Sequence, residues 1–265
     1  MMNRPSPLLA ARSLTKAYGP TRALDGVDLT VHAGESVAIM GPSGSGKTTL
    51  MHVLSGILLP DAGSVLFTAP GAEPTEITTL NEEARARLRR ERLGFVFQDG
   101  LLLPELTAQE NVALPLLLSG VPRPAAEAHA AQWLAALGLD GMQTRRLGEL
   151  SGGQAQRVAI ARAQVADPQV VFADEPTGAL DSATSASVLG ALLDSTVGRG
   201  RTLVMVTHDQ TTADRCSRLV RVQDGRIVAD SAAGVADAAG AAGSGAPVSP
   251  TGSAGSVTHW TEATR

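Results

Sequence analysis

Nine residues, Gly41-Pro42-Ser43-Gly44-Ser45-Gly46-Lys47-Thr48-Thr49, have the types and spacing to hold a polyphosphate. They fit the pattern Gly, four residues, Gly-Lys-[Ser/Thr]. Glycines at 41, 44 and 46 let the backbone curl until successive amides face one point. The start of a following helix adds unpaired N–H groups and a positive dipole end. Lys47 is then placed to reach the β- and γ-phosphates, and the Thr48 hydroxyl to sit on Mg²⁺. The chemistry this predicts is the binding of a nucleoside triphosphate.

Two further strand ends carry reactive groups. Val170-Val171-Phe172-Ala173-Asp174-Glu175 is an apolar run ending in two carboxylates. At the C-terminal end of a parallel strand such an acid faces the same crevice as the phosphate loop. Asp174 is placed to hold Mg²⁺, and Glu175 to take a proton from a water attacking the γ-phosphate. Thr202 to Thr207 repeats the device and delivers His208, which can donate to a γ-phosphate oxygen. Leu150-Ser151-Gly152-Gly153-Gln154 opens a helix, with Ser151 at the cap position. It reads either as a Gly-rich linker or as a second anion-binding helix start. In the second case a nucleotide with one γ-phosphate cannot serve both starts. One solution is a two-fold dimer with composite sites, each chain supplying half.

The elements that must position these groups alternate strand and helix. Ser36–Met40 reads as a buried parallel strand into the phosphate loop, and 48–55 as a helix stopped at Gly56. Strands are also expected over 8–14, 23–31, 64–67, 93–97, 169–173 and 202–206, and a hairpin turns at Asp224-Gly225. Residues 68–80 read as a surface excursion. Asn81 can cap a helix to Arg92, whose arginines 85, 87, 89, 90 and 92 read as a solvated face or as a contact for an acidic surface or lipid head groups. Thr107-Ala108-Gln109-Glu110 has capping-box spacing. Helices follow over 122–140, 151–166 and 182–194. The fold class is therefore α/β: a mainly parallel sheet, an antiparallel β portion, and a helical subdomain where strand signals are missing.

Composition sets limits. The chain has 265 residues, 43 % hydrophobic and 18 % charged, with few aromatics. A net charge of −4 gives no general pull toward nucleic acid. The single cysteine, Cys216, excludes an intrachain disulfide and reads as a small packed side chain. No stretch is long enough for a secretion signal or a membrane span, so a span would come from a partner. From Ser231 the composition collapses to Ala, Gly, Ser, Pro and Thr, with Trp260 alone among them, and disorder is expected.

The phosphate loop, Gln98, Ser151 to Gln154, Asp174, Glu175, the Gly178-Ala179-Leu180-Asp181 run and His208 resemble, in order and spacing, the nucleotide-binding subunit of ATP-binding cassette transporters. The resemblance covers roughly residues 8 to 230. It implies that Tyr18 stacks on adenine, where by itself it would be an ordinary strand-edge aromatic. It implies that Gln98 touches Mg²⁺ and senses a membrane partner. Ser151, Gly152, Gly153 and Gln154 would close on the ATP of a second subunit, and Asp181 would lie at the dimer interface. Residues 1–230 would be the ATP-binding domain, with about 99–167 its helical subdomain and 231–265 a tail. Residues 91–98, 105–116 and 173–182 look like the subgroup serving macrolide export, lipoprotein release, antimicrobial-peptide detoxification and cell-division signalling. Ala155 stands where a second Gln is common. The expected protein is an ATPase at the cytoplasmic face of a membrane, paired as a homodimer and driving an integral membrane permease. A rival keeps the ATPase as a mechanical switch for an external hydrolase. A soluble ATPase of repair or translation is disfavoured, since the chain has neither a long coiled-coil insertion nor tandem cassettes.

Overall fold

The structure, a computed structural model, describes residues 7–232. The expectations for residues 233–265, Trp260 among them, lie outside the described residues, as do residues 1–6. Two sheets form the frame. Strands β1 (Pro7–Tyr18), β2 (Thr21–His32), β4 (Ala62–Phe67) and β5 (Thr75–Glu76) make an antiparallel sheet in the order β2-β1-β4-β5. Strands β3 (Ser36–Met40), β6 (Leu93–Val96), β7 (Val170–Asp174), β8 (Thr202–Val206), β9 (Arg218–Gln223) and β10 (Arg226–Asp230) make the larger one, in the order β10-β9-β3-β8-β7-β6. All its pairings are parallel except β10 on β9.

Apolar alternation explains how the larger sheet is covered on both faces. Val170 and Phe172 of β7 point into one core with Val37, Ile39, Val204 and Val206, while Val171 and Ala173 point into another with Leu203 and Met205. On the first face lie the antiparallel sheet and helix α1 (Lys47–Leu54). On the second lie α3 (Ala108–Leu118), α4 (Arg123–Ala136), α5 (Gly152–Gln164) and α6 (Ser182–Thr196). Double coverage is why β3 and β8 carry uninterrupted apolar runs, every residue of each being buried.

Helix α2 (Glu82–Arg92) begins at Asn81, whose side chain accepts the Ala84 amide at 2.8 Å. Two of its arginines, 85 and 89, correct the solvated-face expectation, while Arg87 and Arg92 are exposed as it requires. Arg85 is buried and donates to the Leu80 carbonyl and to Glu82, and Arg89 donates to the Gly56 carbonyl at 2.7 Å. These side chains fasten α2 to the end of α1. The short helix α7 (Gln210–Ala213), absent from the sequence reading, is capped by Asp209, which accepts from the amides and hydroxyls of Thr211 and Thr212. Those bonds hold the Asp209 carboxyl down at about 2.

Arg218 joins the two sheets. It donates to Asp230 of β10 at 2.6 and 2.8 Å, to the Thr30 carbonyl of β2 at 2.7 Å and to Glu35 at 3.1 Å. The hairpin turn lies where expected, with φ of 49° at Asp224 and 74° at Gly225, as a two-residue turn with both central residues left-handed requires.

The capping box at α3 is complete: Thr107 Oγ1 accepts the Glu110 amide and Glu110 accepts the Thr107 amide. Thr107→Ala should lower stability by about 1 kcal/mol. Leu134→Ala, in the fully buried centre of the helical core, should cost about 2–5 kcal/mol. Urea unfolding of both variants gives the comparison; equal losses would contradict this assignment of the core.

Candidate active site

The phosphate loop connects β3 to α1, and its shape is enforced from behind. A Cβ on Gly41 would stand 2.0 Å from the Val222 carbonyl oxygen of β9, and one on Gly46 2.1 Å from that of Ala23 in β2. No larger residue fits either place. Gly46 also has φ of 102°, in the region that favours glycine. The Gly225 amide donates to the Ser45 carbonyl at 3.0 Å, and the Asp25 amide to the Gly225 carbonyl at 2.9 Å. The loop is thus wedged between one strand of the small sheet and the β9–β10 hairpin.

Lys47 is almost buried, and its Nζ donates to the Gly41 and Pro42 carbonyls, both at 2.8 Å. Tyr18 is about half exposed and shares a cleft of about 280 Å³ with Thr21, Gly44, Gly46, Lys47, Thr48 and Thr49. An aromatic face at one end and a cradle of amides at the other suit a nucleoside polyphosphate. The buried Ser45 hydroxyl has no hydrogen-bond partner among the described residues.

Beside the loop, the Thr48 hydroxyl donates to Asp174 Oδ2 at 3.4 Å. Burial pushes the Asp174 carboxyl up from its ordinary value, and the neighbouring Glu175 adds to this, while His52 opposes it. His52, four residues after Thr48 on α1, is itself held down by burial. The sequence reading missed it, although the spacing puts it on the face of Thr48. Among the described residues no cluster of three or more His, Cys, Asp or Glu could hold a metal alone. The hard oxygens of Thr48 and Asp174 fit a Mg²⁺ that takes its remaining ligands from phosphate and water.

Glu175 follows β7 with φ of 44°, its amide bonded to the Val206 carbonyl at 2.9 Å. This left-handed backbone turns its carboxylate toward the end of β8, where His208 Nδ1 donates to Glu175 Oε2 at 2.8 Å. A neutral imidazole has one N–H. For His208 also to donate to a phosphate oxygen, as the sequence suggests, the ring must carry both protons or let go of Glu175. Gln98, after β6, comes to the same place: a Cβ on Gly178 would stand 3.3 Å from both Gln98 Nε2 and Glu175 Oε2.

The remaining residues lie elsewhere. Ser151 caps α5 by accepting the Gln154 amide at 3.3 Å, and Gln154 Oε1 accepts the Ser151 amide at 2.9 Å, so this hydroxyl serves its own helix. A Cβ on Gly153 would stand 2.4 Å from Thr184 Cγ2, and one on Gly152 3.1 Å from Leu180 Cδ2. The α5 start therefore packs on the α6 start and is absent from the lining of the Tyr18 cleft. Asp181 caps α6 through the Ala183 and Thr184 amides, and its bonds from Thr184 hold its carboxyl below the ordinary range.

A wedged phosphate loop, a Thr–Asp pair beside it and a carboxylate–histidine pair at the same sheet edge define a nucleotide-binding cassette. The ABC transporter family model matches residues 24–178, and the chain belongs to that family. It is 48 % identical to the lipoprotein-releasing system ATP-binding protein LolD of Geobacter metallireducens, over 85 % of this chain and 100 % of that protein. It is 44 % identical to the pyoverdine export ATP-binding/permease protein PvdT of Pseudomonas aeruginosa, over 86 % of this chain and 34 % of that one. The chain thus spans about a third of the length of the PvdT proteins that it matches. Among solved structures it resembles the dimeric ATP-binding cassette MJ0796 bound to ADP and Pi, at 35 % identity and a TM-score of 0.74, over 84 % of this chain and 97 % of that one.

Asp174 links site and stability. Its raised carboxyl value means that the fold favours the neutral form. The ionised form therefore costs stability at neutral pH, a cost that disappears as the pH falls toward the ordinary value of 3.8. Asp174→Asn should raise the melting temperature of the nucleotide-free, metal-free protein at pH 7, with the gap closing in acid, and should abolish the Mg²⁺-dependent part of stabilisation by ATP. Thermal melts across pH, with and without Mg²⁺ and ATP, test both signs; a lower melting temperature at pH 7 contradicts the burial argument.

Proposed function

We propose that the chain is the ATP-binding and ATP-hydrolysing subunit of an exporter or extraction system, working at the cytoplasmic face of a membrane with a separate integral permease. Residues 1–230 form its ATP-binding domain, about 99–167 the helical subdomain, and 231–265 an appended tail. No helix among the described residues is long and apolar enough to cross a membrane, so the span falls to the permease. The relatives' names, which specify pyoverdine export and lipoprotein release, favour transport over a mechanical switch for an external hydrolase.

The supporting observation is the separation of two anion-binding helix starts in one chain. The loop Gly41 to Thr49 lines the cleft of Tyr18, while Ser151 to Gln154 lie against α6. Two copies placed head to tail bring the second start of each to the nucleotide of the other, with Asp181 at the join. The MJ0796 cassette bound to ADP and Pi is likewise dimeric.

In this reading Tyr18 carries adenine, the loop Gly41, Pro42, Ser43, Gly44, Ser45, Gly46, Lys47, Thr48 and Thr49 wraps the phosphates, and the donors are its backbone N–H groups other than at Pro42, which has none. Lys47 exchanges its loop carbonyls for phosphate oxygens. Thr48, Asp174 and Gln98 hold Mg²⁺, which when bound neutralises charge on the β- and γ-phosphates. Glu175 takes the proton of the attacking water, and His208 aligns that carboxylate through its 2.8 Å bond. Gln98 reports the state of the site to the permease.

Glu175→Gln should lower phosphate release by roughly 10²- to 10⁴-fold while leaving ATP binding intact. ATP-bound dimers should then accumulate on gel filtration with Mg²⁺. Hydrolysis at the unaltered rate would overturn the assignment of the base.

A further inference from the structure

Helix α5 does more than present Ser151. Three of its side-chain donors end on carbonyls of the segment around Gln98. Gln156 Nε2 donates to the Phe97 carbonyl at 2.9 Å, and Arg162 Nη2 and Nη1 donate to the Gly100 and Leu101 carbonyls at 2.6 and 2.8 Å. Gly100 lies directly on the helix, since a Cβ there would stand 3.3 Å from Gln156 Oε1 and 3.5 Å from Ala159 Cβ.

The backbone at this contact is held away from its preference. Gly100 has φ of 67° and Leu101, with no glycine's freedom, has φ of 47°. A left-handed leucine is strained, because its Cβ crowds the neighbouring carbonyl, so the surroundings must impose it. Arg162 is the group that does so, because its fork accommodates two adjacent carbonyls turned toward it. It forms no ion pair among the described residues, so no carboxylate competes for the fork. Burial without such a partner pulls its pKa down, as expected for a cation satisfied only by carbonyl dipoles.

We propose that Arg162, assisted by Gln156, is a positioning residue that makes α5 and the loop after Gln98 a single rigid body, so that closure at Ser151 is carried to residues 99–103. The inference rests on the reading of Ser151 as a contact to the partner's nucleotide. Its geometry is that of a rod: Ser151 and Arg162 are eleven residues apart, about 16 Å along the helix axis. A helix transmits displacement over that length without bending far, and the fork at its far end converts it into movement of the loop.

The test compares hydrogen exchange, by mass spectrometry, of residues 97–106 and 151–158 in the full chain carrying Glu175→Gln, with and without Mg²⁺ and ATP. In that parent, ATP should slow exchange in both segments. Adding Arg162→Met should leave the response at 151–158 in place, speed exchange at 99–103 roughly tenfold, and remove its dependence on ATP. Arg162→Lys, which can restore one bond, should recover part of that dependence; a loosened loop alone would change the baseline and keep the response. Gln156→Leu should shift the loop response in the same direction, and carries the test if Arg162→Met does not fold. An undiminished ATP response at 99–103 in Arg162→Met, or in Gln156→Leu should only that fold, overturns the proposal. Absence of any response at 151–158 in the parent overturns instead the reading on which it rests.

Discussion

The phosphate loop does not hold its own shape. Two carbonyl oxygens, from Val222 and Ala23, occupy the places where side chains on Gly41 and Gly46 would begin. Steric exclusion of this kind is steep, so the loop has little freedom while β2 and β9 stay where they are. That makes the anion cradle a product of both sheets and of residues nearly two hundred positions apart. Arg218, bridging β9, β10, β2 and Glu35, keeps that relation fixed.

With the loop fixed, the parallel sheet supplies the rest of the chemistry at one edge. Strands β6, β7 and β8 end in Gln98, Asp174–Glu175 and His208, and each strand is buried on both faces, so the ends cannot drift independently. Gln98 and His208 are exposed there, but Asp174 and Glu175 are half-buried, where water is partly excluded, which strengthens charge–charge interactions and penalises an unpaired charge. The upward push on Asp174 is that penalty in the nucleotide-free chain. A cation bound there, as proposed, would offset it, and the site would then be built at the expense of the resting protein.

Much of this was legible from residue order alone. Thr202–Val206 could be read as a buried strand because a strand covered on both faces carries a continuous apolar run, here Leu203 to Val206 after Thr202, and all five residues are buried. The Thr107 capping box and the Asp224-Gly225 turn are local devices, complete within four residues, and both are present. The inward turn of Arg89 was not legible because it depends on the Gly56 carbonyl, presented by a turn about thirty residues earlier, which no local pattern encodes. Strands β1 and β2 run further than their alternation suggests because the pairing shifts register around Ser13, whose φ is 46°, and so breaks the period of two. Helix α7, four residues long, is too short for any helical period to appear. The start at Ser151 to Gln154 could be read from its residues as a second anion-binding helix start, but its proposed place against a partner's nucleotide leans on the resemblance, since within the described residues it caps a helix and packs on α6.

Glu175 sits in a backbone conformation that glycine or asparagine adopts with less strain. With Glu175 as the proposed base, selection for heat resistance alone would favour glycine or asparagine here and enrich protein that holds nucleotide but turns it over slowly. Any engineering of the chain for shelf life would then have to keep that codon out of the library, because on that proposal robustness and turnover draw on the same residue.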